Sequence, residues 1–153
     1  MLPAEALVRV DFTIRPGTQS CGVPLRASDD SEDDYSLRLE PVWNRLIRDR
    51  WPRGRTGDEQ WQVKGDVPRA VELDGPVDLP PGRHRLETHL DNSLCVALGD
   101  GRVTLSARLH DRQAGRVGLL AVDGGVDLES FDVGRRAEDP GAGPPDGDLA
   151  SSP

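Results

Sequence analysis

Apolar and polar residues alternate without a slip near the start of the chain: Val8, Val10, Phe12 and Ile14 fall on one side, Arg9, Asp11, Thr13 and Arg15 on the other. A period of two is the signature of an extended strand with one face buried, because successive Cβ atoms point to opposite sides. Pro16-Gly17-Thr18 predicts a turn, and Cys21, Val23 and Leu25 resume the alternation until an acidic run breaks it. Pro24 within that second strand has no N–H for a ladder and predicts a sheet edge or a bulge. Tyr35, Leu37 and Leu39 alternate with Ser36, Arg38 and Glu40, and "PVWN" predicts a turn into a strand over residues 45–51. A polar loop follows, then short strand candidates at Trp61–Val63 and Arg69–Leu73.

The pattern strengthens after "LPPG". Leu86, Thr88 and Leu90 share a face, Asp91-Asn92 predicts a tight turn, and Leu94, Val96 and Leu98 form the apolar side of the returning strand. Asp100-Gly101 is a hairpin dipeptide, after which Val103, Leu105, Ala107 and Leu109 alternate in turn. Residues 117–122 predict another strand, "DGG" another turn, and 126–133 the last strand, with a slip of register near Glu129 and Ser130. No segment carries helical spacing. From Gly134 onward Gly, Pro, Ala and charge predominate, a composition that buries too little apolar surface to offset the entropy of ordering and predicts a disordered tail. About ten short strands with no helix between them predict an all-β protein, an antiparallel two-sheet β-sandwich over residues 1–133 with the tail at 134–153.

Composition narrows the chemistry. The 153 residues suit one domain, and with aromatic residues at only 4% the core must be built mostly from Val, Leu and Ala. Of the net charge of -8, five negatives sit together as Asp29, Asp30, Glu32, Asp33 and Asp34. A mildly acidic body argues against a nucleic-acid partner, which needs clustered cations. The gathered cations Arg45, Arg48, Arg50, Arg53 and Arg55 are read as strand and loop surface facing the acidic run. The N-terminus has no secretory pattern and no stretch has the apolar length of a membrane span, so a soluble cytoplasmic protein with no membrane partner is expected.

Cys21 and Cys95 are too few for a disulfide scaffold and lack zinc-ligand spacing; both fall in strands, as buried thiols or as a bridge between sheets. The acidic run lacks the "DxDxDG" order of a calcium loop, and His84, His89 and His110 share no ligand spacing, so no metal and no cofactor are expected. Trp43, Trp51, Trp61 and Tyr35 are the candidates for carbohydrate binding, because C–H faces of sugar rings stack on flat aromatic surfaces with a polar edge.

The stretch "RLETHLDNSLCVALGDGRVTLSARLHDRQAGRVGLLAVDGGVDLESFDV" resembles the C-terminal β-sandwich of glycoside hydrolase family 32, the invertases, levanases and related fructan hydrolases. Asp91 and Ser93 stand where that family has a "DRS" turn, Asp100, Gly101 and Arg102 where it has "NDGR", and Arg108 at the arginine of "SRIYP". Upstream, "LRASDDSEDDYSLRLEP" and "RLIRDRW" are similar to its "LRAS…Y" and "VDRS" strands, so the likeness runs over residues 6–133. Val96 and Leu98 replace the glutamate and phenylalanine of "SVEVF", removing any polar contact made there. Enzymes of this family hydrolyse fructosides in a separate propeller through "NDPNG", "RDP" and "EC" motifs, none of which occurs here.

The resemblance implies a concanavalin-like jelly roll that is accessory and non-catalytic, supporting a catalytic propeller in the same original gene or on a partner chain. The alternative is a free-standing lectin-like module recognising fructan or another glycan. An autonomous glycosidase is the third reading: it needs two rigid carboxyl groups about 5 Å apart, and no such pair is marked out by sequence, so no catalytic residue is assigned.

Overall fold

A computed structural model describes residues 1–51, 71–110 and 112–135. Strand β1 (Glu5–Ile14) is followed by β2 (Ser20–Ala27), β3 (Asp34–Glu40), β4 (Arg45–Trp51), β5 (Val71–Pro76) and β6 (Gly82–Asp91). Then come β7 (Leu94–Gly99), β8 (Val103–Arg108), β9 (Arg116–Val117), β10 (Leu120–Val122) and β11 (Val126–Gly134). A single 3-10 turn, Pro41–Trp43, is the sole helical element among the described residues, and no helix is long and apolar enough to cross a membrane. One sheet has the order β11-β1-β6-β7-β8; the other, six-stranded, has the order β10-β2-β3-β4-β5, with β9 also on β2. All pairings are antiparallel, so the chain is a two-sheet β-sandwich.

The alternation read from the sequence sets the inner faces. Val8, Val10, Phe12, Ile14, Leu86 and Leu90 of one sheet are buried in the same cluster as Cys21, Val23, Leu25, Leu37, Leu39 and Leu46 of the other. Removing such aliphatic surface from water stabilises the fold by about 25 cal/mol per Å². Gly22 is needed for the approach of β2 to β3, because a Cβ there would lie 1.9 Å from the Leu37 carbonyl oxygen. The slip expected near Glu129 is present: Ser130 pairs with Asp11 and Leu128 with Phe12, leaving Glu129 as the extra residue. Pro24 lies where the neighbouring strand breaks between β9 and β10; its carbonyl takes the Gly118 N–H there, on the side where its own ring nitrogen has nothing to donate.

Five expectations need correction. The single strand expected over 117–122 is two short strands, β9 and β10, broken at Gly118 and Leu119. In β7 the buried residues are Cys95, Ala97 and Gly99, while Leu94, Val96 and Leu98 point outward and are half-buried. The register after the tight turn, Leu90 with Cys95 and Thr88 with Ala97, puts these small residues inward. Arg48 is not surface: it pairs with Leu37 across the ladder and sits buried between the sheets, where Nη2 donates to the Arg108 carbonyl at 2.6 Å. Strand β5 runs on to Pro76, past the expected end at Leu73, because Asp74, Gly75 and Pro76 stay in register with Ile47, Leu46 and Arg45, while Arg69 and Ala70 lie outside the described residues. The last strand likewise runs one residue further than expected, to Gly134, which pairs with Leu7. The strand candidate at Trp61–Val63 and residues 136–153 of the expected tail lie outside the described residues.

Candidate functional site

The two outward faces differ in kind. On the six-stranded sheet, the antiparallel pairing of β3 and β4 sets Glu40 opposite Arg45, Arg38 opposite Ile47, Ser36 opposite Asp49 and Asp34 opposite Trp51. Alternation sends this set away from the core, because Leu37, Leu39 and Leu46 occupy the inward phase. Charged side chains at outward positions are ordinarily solvated. Here Asp34, Ser36, Glu40, Ile47 and Asp49 are buried, so this polar face is largely shielded from solvent.

Its members are tied into a ladder. Arg38 Nη2 donates to Asp49 Oδ2 at 2.9 Å and lies 3.9 Å from Glu40 Oε1. Arg45 Nε donates to the other Glu40 oxygen at 2.7 Å, and its Nη1 is 3.8 Å from Asp74. The Ser36 hydroxyl donates to Asp34, and Asp49 Oδ1 accepts the Arg50 backbone N–H at 2.8 Å. Burial holds the Asp34 carboxyl above the usual carboxylate range against the lowering effect of the Ser36 hydroxyl, with Asp33 and Asp49 adding to the rise. Arg38 Nε is buried with no hydrogen-bond partner among the described residues, a donor whose desolvation they leave uncompensated. Such a ladder presents fixed N–H donors beside fixed carboxylate acceptors, which suits a ligand whose groups both donate and accept, as hydroxyls do.

The aromatic candidates divide. Trp43 stands on the 3-10 turn between Glu40 and Arg45 and is 70% exposed, a large flat surface at the hairpin end of the ladder. The backbone of Trp51 closes β4 opposite Asp34, at the other end; its side chain and the whole of Trp61 lie outside the described residues. Tyr35 faces inward and is 2% exposed, with the Arg48 and Arg50 guanidinium carbons 5.1 Å and 5.6 Å from its ring centre, so its faces meet cations inside the sandwich. The acidic run pairs with cations: Asp33 with Arg112 at 3.2 Å and Arg50 at 3.6 Å, and Asp29 with Arg116 at 3.0 Å. Sequence reading passed over Arg38, Glu40 and Asp49, because their juxtaposition depends on cross-strand register. The one signal within reach was a strand pair carrying charge at every polar position but Ser36.

No protein-family model matches the chain, and no curated protein matches it by sequence. Solved structures do. A carbohydrate-binding module, CBM66 from Bacillus subtilis, superposes with a TM-score of 0.68 at 14% identity, over 85% of this chain and 74% of that one. The galectin LEC-6 of Caenorhabditis elegans gives 0.60 at 12% identity, over 88% and 85% of the two chains. An exo-inulinase from Aspergillus awamori gives 0.62 at 20% identity, over 86% of this chain but 24% of the enzyme. At these identities the likeness is one of fold: the chain has the β-sandwich architecture of these proteins.

Proposed function

We propose that this protein is a carbohydrate-binding β-sandwich that holds a sugar on the outward face of β3 and β4. The observation that carries the reading is the buried Arg38–Asp49–Glu40–Arg45 ladder, with Trp43 exposed beside it. In this reading the part-exposed Arg38 and Arg45 donate to ring hydroxyls, and the buried Glu40 and Asp49 hold the two guanidiniums in place. Trp43, at the hairpin end of the ladder, stacks on a sugar face. The fold shared with a carbohydrate-binding module and a galectin supports this. Titration calorimetry of the chain with inulin, levan and galactose-terminated oligosaccharides tests it. Binding to one of these that is lost in both Arg38→Met and Asp49→Asn, with the melting temperature retained, is the expected result; heat that persists unchanged in both variants rejects the site.

A second reading is an accessory sandwich like that of glycoside hydrolase family 32, steadying a catalytic propeller. It is supported by the likeness to the 24% of the exo-inulinase that this chain spans. Mixing the chain with an isolated family 32 propeller separates the two readings: an accessory domain raises the propeller's melting temperature, and a free-standing lectin leaves it where it was.

A further inference from the structure

The outward face of the other sheet carries a cleft of about 550 Å³ at one end of β6. Arg83, Arg85 and Glu87 line it from β6, Asp11 from β1, Leu98 from β7, and Asp100 from the turn after β7. Its size falls within the range of small-molecule sites. What sets it apart from an ordinary charged surface is the network of hydrogen bonds and ion pairs that links most of its wall.

Arg85 grips Asp11 with two parallel bonds, Nε to Oδ1 at 2.8 Å and Nη2 to Oδ2 at 3.0 Å, and the Ser130 hydroxyl donates to Asp11 at 3.1 Å. Arg83 Nε reaches Glu129 at 2.8 Å, and Glu87 takes Arg9 and His89, each at 2.8 Å. Asp100 has a left-handed backbone, with φ +52, and its carboxylate meets the Arg85 backbone N–H and His84 Nδ1, both at 2.7 Å. His84 is itself buried and holds the Pro80 carbonyl at 2.7 Å, tying the wall to the segment before β6. Side chains held in this way lose little freedom when a ligand arrives, which is the main benefit of preorganisation.

The exposure of these groups defines the ligand. The Arg83 and Arg85 side chains are 66% and 50% exposed, whereas Asp11 beneath is 8% exposed. A ligand therefore meets guanidinium N–H groups first: Nη1 of Arg85 and both terminal nitrogens of Arg83 are not used in the contacts above. The charge of each arginine is already matched by a carboxylate, so an anion gains little net attraction. A hydroxyl, in contrast, takes an arginine N–H and gives its own proton to Glu87 or Asp100. Leu98, half-buried on the same surface, offers an apolar patch for a C–H face.

We propose that this cleft is a second binding site, for a neutral polyhydroxylated ring such as a hexose, on the sheet opposite β3 and β4. A protein with sites on both faces bridges two glycan chains. This site stands or falls separately from the one on the other sheet.

The test is a two-dimensional amide NMR titration of the full chain with D-fructose, D-glucose and D-galactose, with D-glucuronate as the charged comparator. The expected result is saturable shifts at residues 83–87 and 98–101 with a neutral sugar, insensitive to added salt. Arg83→Ala, which removes only an exposed bridge, and Leu98→Ser should each weaken them by about threefold or more. Shifts at residues 36–49 in the same spectra report the other site independently. The proposal is overturned if no neutral sugar moves the cleft amides, if both variants bind as the parent does, or if glucuronate binds more tightly and salt removes it.

Discussion

Arg26 and Arg112 hold each other's backbone: Arg26 Nη1 donates to the Arg112 carbonyl at 2.7 Å, and Arg112 Nε donates to the Arg26 carbonyl at 2.9 Å. Arg26 is fully buried at the end of β2 with a left-handed φ of +53. Its Nη2 also donates to the carbonyls of Ala4, at 3.2 Å, and Asn92. One guanidinium thus satisfies carbonyls from three distant segments, where backbone oxygens without partners would be costly.

Replacing Arg26 with Met should therefore destabilise by about 3 kcal/mol, since three part-buried carbonyls lose a donor at once. Urea unfolding followed by tryptophan fluorescence measures this. A midpoint that stays within error of the parent would show that the latch is dispensable.

Asp34 sets a pH dependence of the opposite sense to most carboxylates. Burial raises its folded-state proton affinity above the ordinary 3.8, so folding takes up a proton in the interval between that value and the raised one. Its contribution is most favourable below the ordinary value and is lost as pH rises through the raised one. Asp34→Asn should accordingly raise the unfolding midpoint near about pH 7, with the gain disappearing near about pH 3. A gain that is the same at both pH values would exclude titration as its cause.

Both thiols are shielded. Burial pushes Cys21 up to about 12 and Cys95 up to about 11, the latter against the pull of Arg48 and Arg26. Thiolate is the reactive form, so an aromatic disulfide reagent near about pH 8 should release no colour from the folded protein within minutes and two equivalents in urea. Rapid release without denaturant would contradict the burial of both residues.

Trp43 offers a way to separate recognition from stability. At 70% exposure its removal should change folding free energy by no more than about 0.5 kcal/mol. If it stacks on a sugar, Trp43→Ala should cost about tenfold in affinity, or ~1.4 kcal/mol. Thermal unfolding and calorimetry on the same sample read both; affinity equal to the parent's would remove Trp43 from the site.

Much of the sandwich could be read from alternation, since Val8 to Ile14 and Val103 to Leu109 each have one aliphatic and one polar side, Cys21, Val23 and Leu25 alternate with Gly22 and Pro24, and the slip at Glu129 showed as a break in that rhythm. Strand β7 could not be phased this way. Leu94, Cys95, Val96, Ala97 and Leu98 are apolar on both sides, so the short turn at Asn92 decides which face is inward. Arg48 failed for a related reason: a charged residue reads as outward until Leu37 is seen across the ladder. The ladder on β3 and β4 was invisible because Arg38 and Asp49 come together through pairing, which no single-strand pattern encodes. Tyr35 is an aromatic with a polar tip, but its phase in β3 turns the ring inward, beside the Arg48 and Arg50 guanidiniums.

Strand β1 is flanked by β6 and β11, so both of its neighbours are translated long after it. As it leaves the ribosome, Glu5–Ile14 has no edge to join and must wait with its aliphatic side open. Chains whose first strand depends on their last have high contact order and fold slowly, over about milliseconds to seconds. Synthesis stalled before Val126 would leave one flank of the opening strand unzipped and ready to pair with a neighbouring nascent chain.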